Sequence, residues 1–570
     1  MGLKTHQLQA LGDLYARWRV RMAEVVDVYL HPPFDDDPDK VHAWQRRRIE
    51  AEAAMGGLWV MPCRSGKTMT ALSALYHWSG WLGEWGVPRA LRQVWQYPHL
   101  VLAPSDMVRD GVWSEDWHKV CPPWDWRAHT WQPGCSWTPD TFPGGIWLVP
   151  TMPEGEIRYT LSKVRADNIV VMTYHTLRHR EAIVSAQQWG MIVADEVHML
   201  KNPQAGWTQS AYLLQSVARL GLSATPFTNY VNDLRDVLAW LQGWTANGRR
   251  VSAIWPSTKV WQDRHCAWDY RPPKRGMGAW AKIPAGARNP EHLYHWLRSE
   301  VMFSVAPEEV SDAPEPIVKP MPMPLSGRQE EVYRQLEKGI LSWSDRQGTV
   351  NNMVVRAQMM LMFELCADAR QLEVSIRNQS KYGLSGDFSR GWSLDEKSSK
   401  MKLVRWLLET VAPREQLLIL TGYSHLSDII VSDLVKLGYR AVSLTGDTKQ
   451  KDRGQIVKDY RDGKIQVVAC TRAAWQGISL AAPNVILFGF VDWTPGMVKQ
   501  AMRRAWTMND VKPVTVWDAY APGTVEEWNR NRLAAKDSYS TMLTNGREEV
   551  LFVSPQDLRA ALRGGNDGEH

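Results

Sequence analysis

Short apolar runs punctuated by turn residues recur between about residues 56 and 230. GLWVM (57–61), HLVLA (99–103), NIVVMTY (168–174), MIVAD (191–195) and LGLSAT (220–225) each have the length and β-branched content of a strand buried on both faces. Helical patterns separate them, so this region reads as an open α/β sheet of parallel strands. A second series follows residue 415: QLLILTGY (416–423), YRAVSLTG (439–446), IQVVACT (465–471), NVILFGF (484–490) and VTVWDAY (514–520). SHLSDIIVSDLVKLG (424–438) has helical spacing between two of these runs. Two doubly wound sheets in one chain are the expectation.

Between the two series the texture changes. Residues 244–290 carry Arg249, Arg250, Lys259, Arg264, Arg271, Lys274, Arg275, Lys282 and Arg288 against only Asp263 and Asp269, interleaved with Trp255, Trp261, Trp268, Tyr270 and Trp280. Alternating basic and aromatic residues suit phosphate contact and base stacking. They equally suit an irregular insertion whose indoles pack on the first sheet while the charges face water. APEEVSDAPEPIVKPMPMP (306–324) reads as an extended connector. VVRAQMMLMFELCADARQL (354–372) reads as a helix with a Met-rich stripe for packing between lobes.

Composition narrows the class. The chain has 570 residues, which at about 150 residues per domain suggests three or four domains. It is 44% hydrophobic and 22% charged, which excludes a disordered chain. Indole supplies most of the large aromatic surface, with 31 Trp against 9 Phe. A net charge of +6 is too small to identify a partner, so local clusters must do so. Six cysteines are scattered singly; His118, Cys121 and Cys135 approach one another in sequence but match no zinc-ligand spacing. The opening MGLKTHQLQALG has no apolar leader, and His6 stands where a myristoylation signal needs Ser or Thr. No apolar run approaches the length of about 18 residues that a transmembrane helix needs. An intracellular, cytoplasmic protein without a membrane partner is expected.

The sharpest local chemistry is CRSGKT, Cys63 to Thr68, after the strand GLWVM and before the helical pattern KTMTALSALYHW. A phosphate-binding loop needs this strand–loop–helix setting, because backbone N–H groups at a helix N-terminus point at the anion. Arg64, Ser65 and Gly66 form the loop, Lys67 neutralises the β- and γ-phosphates, and the Thr68 hydroxyl serves Mg2+. Met61 replaces the first glycine of the usual pattern. The second signal is DEVH, Asp195 to His198, at the carboxyl end of the strand MIVAD, where ligands of open α/β sheets bind. Asp195 suits holding the magnesium and Glu196 suits polarising the attacking water.

This order of motifs resembles the superfamily 2 helicases, and within them the Swi/Snf-like DNA translocases, from about Leu3 to Trp528. LKTHQLQAL resembles the Q motif, which implies that Gln7 reads adenine. VLAPSDMVRDGVWSEDW (101–117) resembles motif Ia, with Trp113 and Glu115 following it. VVMTYHTLR (170–178) resembles motif Ib, DEVHMLKNP (195–203) the extended DExH box, and LGLSATPFTNYVNDLRDVLAWL (220–241) motif III. In the second series, SSKMKLVRWLLE (398–409) resembles the opening helix and LLILTGYSH (417–425) motif IV. LTGDTKQKDRGQIVKDYRDG (444–463) resembles the Gly-and-polar loop with its charged helix. TRAAWQGISL (471–480) resembles motif V and QAMRRAW (500–506) motif VI.

The resemblance implies two tandem RecA-like parallel-sheet lobes in an α/β chain, with an ATP cleft between them and inserted irregular segments. Residues 1–243 form lobe 1, with insertions near 12–55 and 121–165; 244–397 hold the basic Trp-rich insertion, connector and interlobe helices; 398–545 form lobe 2; and 546–570 are a tail. ATP and Mg2+ are the implied cofactors. Gly477, Arg503 and Arg504 approach the nucleotide from lobe 2, with Arg504 acting on the transferred phosphate. Ser223, Ala224, Thr225 and Gln500 couple the two sites. Ser105, Thr173, Lys201, Thr471 and Arg472 hold nucleic-acid phosphates, which makes DNA, duplex or branched and read without sequence preference, the implied partner of a monomer.

Two departures from the family pattern bear on rate and bracing. The second arginine of motif VI is Thr507 here, which points to slower hydrolysis, since an arginine finger is worth about 10³ to 10⁵ in related reactions. The paired arginines that follow lobe 1 in the family are not evident around MFSVAP (302–307). The implied function is ATP-dependent translocation on DNA in replication, recombination or repair, and the compact form resembles phage-encoded members. An ATP clamp that binds nucleic acid with little turnover, motivated by Thr507, and an RNA-directed DExH helicase are the alternatives.

Overall fold

A computed structural model describes residues 3–31, 38–53, 55–62, 65–94, 97–109, 111–120, 124–125, 130–131, 146–149, 152–166, 168–224, 231–246, 249–252, 258–271, 281–310, 316–347, 352–376, 387–411, 413–471, 480, 482–489 and 514–531. The chain divides into two compact units, the first mainly residues 1–267 and 284–311 and the second mainly residues 312–538.

The first unit is built on seven parallel strands: β1 (Gly56–Val60), β2 (His99–Ala103), β3 (Ile146–Val149), β4 (Ile169–Thr173), β5 (Gln188–Asp195), β6 (Gln215–Ser223) and β7 (Met302–Ser304). Their order is β7-β1-β6-β5-β2-β4-β3. β1, β2 and β4 are buried along their whole length, as runs covered on both faces must be. All five expected strands of this series are present. The two that the apolar pattern does not reveal, β3 and β7, are the sheet's edges, where short strands need less apolar sequence.

Helices cover the sheet: α1 (Thr5–Leu30), α2 (Pro38–Ala53), α3 (Lys67–Glu84), α4 (Val112–Val120) and α5 (Tyr174–His179). The insertion expected near 12–55 is therefore helical in its described residues. α1 packs on α3 through indoles, with Trp18 edge-to-face on Trp78 at 5.8 Å and Tyr15 between Trp81 (5.6 Å) and Trp85 (5.5 Å). Trp18, Trp59, Trp78, Trp81, Trp113, Trp189, Trp240 and Trp261 are fully buried, so much of the Trp surplus is core.

The second unit carries six parallel strands: β8 (Ile317–Pro322), β9 (Leu417–Thr421), β10 (Ala441–Leu444), β11 (Val467–Thr471), β12 (Asn484–Phe488) and β13 (Thr515–Tyr520), in the order β8-β13-β12-β9-β11-β10. Apolar clusters lie on its faces, one around Ile419, Ile430 and Ile486, the other around Leu418, Tyr460 and Val485. The stretch expected as an extended connector supplies β8. Ile317 and Met323 donate their N–H groups to Val514 and Tyr520 of the β13 side, so the N–H positions of 318, 320 and 322 face outward. Two of those three are Pro320 and Pro322, which have no N–H to offer and close the edge to further strands. Helices α6 (Gly327–Gln347) and α7 (Asn352–Ala367) pack within this unit, where Tyr333, Met359, Met362 and Phe363 share a core with Ala521 and Val525.

Candidate nucleotide site

Strand order decides which residues meet. β6 lies between β1 and β5, with Val60 opposite Ser223 and Leu222 opposite Asp195. The end of the loop-bearing strand, the serine of SAT and the aspartate of DEVH therefore share one carboxyl edge, where open α/β sheets take their ligands. β2 and β4 continue that edge, with Leu102 opposite Ala194 and Ala103 opposite Thr173.

Beyond Val60 the Met61 N–H is bonded to the Ser223 carbonyl at 3.1 Å. Met61 is fully buried and lies outside the left-handed backbone region, so this side chain occupies the usual glycine position without strain. Gly66 does need its freedom: its φ is 81°, and a Cβ there would stand 2.0 Å from Gln7 Nε2. It leads directly into α3, whose first residues are Lys67 and Thr68. The Lys67 ammonium donates to the carbonyls of Met61 (3.0 Å) and Pro62 (3.3 Å).

Gln7 and His6 reach the loop from α1. Gln7 Nε2 donates to the carbonyls of Ser65 (3.1 Å) and Gly66 (3.2 Å), while its Oε1 accepts the Lys4 N–H at 2.7 Å. His6 Nε2 lies 2.9 Å from the same Ser65 carbonyl. Burial holds the His6 imidazole below its ordinary pKa, with the Ser65 carbonyl opposing, so the neutral ring is favoured. Both side chains are buried, and the amide of Gln7 is spent on two bonds to the loop and one to the Lys4 N–H.

The acidic pair is tightly built. Asp195 is buried, its Oδ1 accepts the Glu196 N–H at 3.0 Å, and its carbonyl accepts the Tyr174 hydroxyl at 2.7 Å. Glu196 adopts φ 51° and ψ 55°, a left-handed conformation that a residue with a Cβ holds only at a cost of about 1 kcal/mol or more. Its Oε2 lies 3.3 Å from His198 Nδ1 and 3.4 Å from Ser223 Oγ, and His198 Nδ1 lies 3.3 Å from the same hydroxyl. Burial and the adjoining Glu196 carboxylate push the Asp195 carboxyl well above the usual range, against the opposing pull of Lys67 and the Trp113 indole.

These residues fit ATP and Mg2+. With Asp195 buried and the half-buried Glu196 carboxylate beside it, the repulsion within the pair is costly unless a cation neutralises it. The Ser65 hydroxyl is buried without a hydrogen-bond partner among the described residues, beside a helix N-terminus that favours anions. Asp195 and Thr68 would hold the metal, which when bound neutralises developing phosphate charge.

Other expected residues are placed as follows. Ser105 is exposed at the start of a short helix, and Lys201 and Ala224 are half-buried. Thr173 is buried, and its hydroxyl caps α5 by accepting the Thr176 N–H at 2.9 Å. In the second unit Thr471 ends β11, with a buried hydroxyl that has no partner among the described residues. Arg64, Thr225, Arg472, Gly477, Gln500, Arg503, Arg504 and Thr507 lie outside the described residues, as do Cys63, Cys121 and Cys135. His198 is the histidine of DEVH, whereas His6 and Tyr174 join the site without a spacing signal of their own, legible only as neighbours of Gln7 and Thr173. Arg453 is similar, since its guanidinium holds the loop after β10 through the carbonyls of Thr445 (3.1 Å), Gly446 (2.8 Å) and Thr448 (2.8 Å).

Parallel sheets, a GKT loop and an acidic pair on one carboxyl edge, with SAT between them, define a superfamily 2 helicase-type P-loop protein. Residues 43–372 match the SNF2-related domain and residues 399–509 the helicase conserved C-terminal domain. The chain belongs to the SNF2-related family. It is 23% identical over 428 residues to the SWI/SNF chromatin-remodeling complex subunit snf22 of Schizosaccharomyces pombe, covering 72% of this chain and 24% of that protein. It is 22% identical over 520 residues to a probable chromatin-remodeling complex ATPase chain of Oryza sativa subsp. japonica, covering 90% of this chain and 41% of that one. The chain thus spans between about a quarter and two fifths of the length of these relatives. Among solved structures, a Sulfolobus solfataricus SWI2/SNF2 ATPase core in complex with dsDNA is 17% identical with a TM-score of 0.32, covering 91% of this chain and 94% of that one.

Proposed function

We propose that this chain hydrolyses ATP in a DNA-stimulated manner, using Mg2+, and couples hydrolysis to movement along DNA as a Swi/Snf-like translocase. The observation that carries this reading is the shared carboxyl edge of β1, β6 and β5, which sets the GKT loop, Ser223 and the Asp195–Glu196 pair side by side. Lys67 leaves the carbonyls of Met61 and Pro62 to meet the β- and γ-phosphates, while the first N–H groups of α3 receive the phosphate oxygens. Glu196 orients the attacking water and takes its proton, and its links to His198 and Ser223 pass the loss of the γ-phosphate into β6. Membership of a family whose relatives are named as a chromatin-remodeling complex subunit and a probable chromatin-remodeling complex ATPase chain supports DNA as the track. Contacts to phosphates rather than bases make binding sequence-independent and salt-sensitive. Within a cell such an activity serves replication, recombination or repair. Phosphate release with and without duplex DNA tests the reading, and a Lys67→Ala protein that hydrolyses ATP as fast as the unaltered chain overturns it.

A further inference from the structure

Helix α5 carries two histidines outside the nucleotide site. His175 and His179 stand one turn apart on the same face, both exposed. Their Nε2 atoms are 3.1 Å apart, with ring centroids 4.4 Å apart and planes at 72°. Two ring nitrogens bound tetrahedrally to one metal ion, each at about 2.0–2.1 Å, lie about 3.3–3.4 Å from each other. The rings need to open by only a few tenths of an ångström to admit an ion. The Arg180 guanidinium is held by the carbonyls of His179 and Met152. The carboxylate of Glu181 is engaged by Ser210.

We propose that His175 and His179 form a binding site for a divalent transition-metal ion of the zinc, nickel or copper class, the metals that imidazole pairs favour. No group of three or more His, Cys, Asp or Glu suited to a metal occurs among the described residues, so the remaining coordination positions are open to water or an anion. The ion joins the two ends of a six-residue helix, too short to be stable by itself. Tyr174 begins the same helix and donates its hydroxyl to the Asp195 carbonyl, so occupancy stiffens one support of the acidic pair.

The test is calorimetric titration of the untagged chain with Zn2+, alongside His175→Ala, His179→Gln and the double variant. The chain's other histidines supply a background that the double variant measures. The unaltered chain binds one equivalent more than the double variant, and each single substitution weakens that equivalent by about tenfold or more. Zn2+ slows amide exchange of residues 174–180 in the unaltered chain only. Because both side chains are exposed, all variants melt with the unaltered chain in the presence of a chelator. Equal Zn2+ stoichiometry and affinity in the double variant overturns the proposal, as does an exchange rate in this helix that Zn2+ leaves unchanged.

Discussion

Gln7 distinguishes two ways in which the start of the chain can serve a nucleotide. The resemblance implies that it reads adenine; its bonds pin the phosphate loop, with two donations to the Ser65 and Gly66 carbonyls. A hydrogen bond of this kind contributes about 0.5–1.5 kcal/mol, so Gln7→Ala removes about 1–3 kcal/mol of loop anchoring. If all of it falls on phosphate binding, nucleotide affinity drops about 5- to 150-fold. Gln7→Glu sharpens the test. A carboxylate still accepts the Lys4 N–H but faces the two loop carbonyls with no donor, so it weakens binding at least as much as Ala. Pinning acts on phosphates, which ATP and GTP share, so both nucleotides weaken in parallel and amide exchange of residues 65–68 accelerates. The assay is competition of ATP and GTP against a fluorescent nucleotide, with exchange measured on the same samples. Loss of ATP binding alone, with GTP binding and loop exchange unchanged, refutes pinning and assigns Gln7 to the base.

Three further outcomes follow from particular contacts. Gly66→Ala forces a Cβ into a left-handed position 2.0 Å from Gln7 Nε2, so ATP binding falls at least tenfold while the melting of the second unit stays in place, read by calorimetry. Glu364 is buried in the second unit, and that burial raises its carboxyl to about 7, with Ser375 opposing. Its contribution to stability is whole below about pH 4.5 and is lost as pH rises through about 7, a span worth about 3 kcal/mol. Glu364→Gln therefore stabilises the second unit at pH 8.5 by up to that amount and has little effect at pH 4.5, measured by denaturant titration at both values. Lys400 is wholly buried against Glu526, whose other oxygen accepts the Ala521 N–H at 2.8 Å. Lys400→Met alone costs about 3–5 kcal/mol by stranding that carboxylate, and adding Glu526→Leu recovers much of the loss.

What could be read from the sequence depended on burial. The nine interior strands announce themselves because a strand covered on both faces must be a continuous apolar run, and the edge strand β10 is apolar enough to be read with them. β3, β7 and β8 do not, because an edge strand tolerates IWLV between undistinguished neighbours, three residues of MFS, or prolines at two of its three outward positions. The GKT loop and DEVH were legible as chemistry placed at strand ends. Their coupling through Ser223 was legible only as a motif, since the order that sets β6 between β1 and β5 is a tertiary fact. The roles of His6, Tyr174 and His198 depend on which carbonyl or carboxylate lies within about 3 Å, and no spacing in one sequence encodes that. The Trp surplus was visible at once, but the stacking of Trp78, Trp81 and Trp85 against α1 shows that much of it closes the hydrophobic space between the first helix and the loop helix.

The role proposed for this carboxyl edge is ATP hydrolysis in response to DNA. Phosphate release is therefore measured for the unaltered chain, Lys67→Ala and Glu196→Gln with no nucleic acid, single-stranded DNA, duplex DNA, forked DNA and RNA. Duplex or forked DNA is expected to raise turnover of the unaltered chain, with both variants flat across every arm and Glu196→Gln still binding ATP. Turnover that no DNA stimulates, or that survives Lys67→Ala, contradicts the central claim.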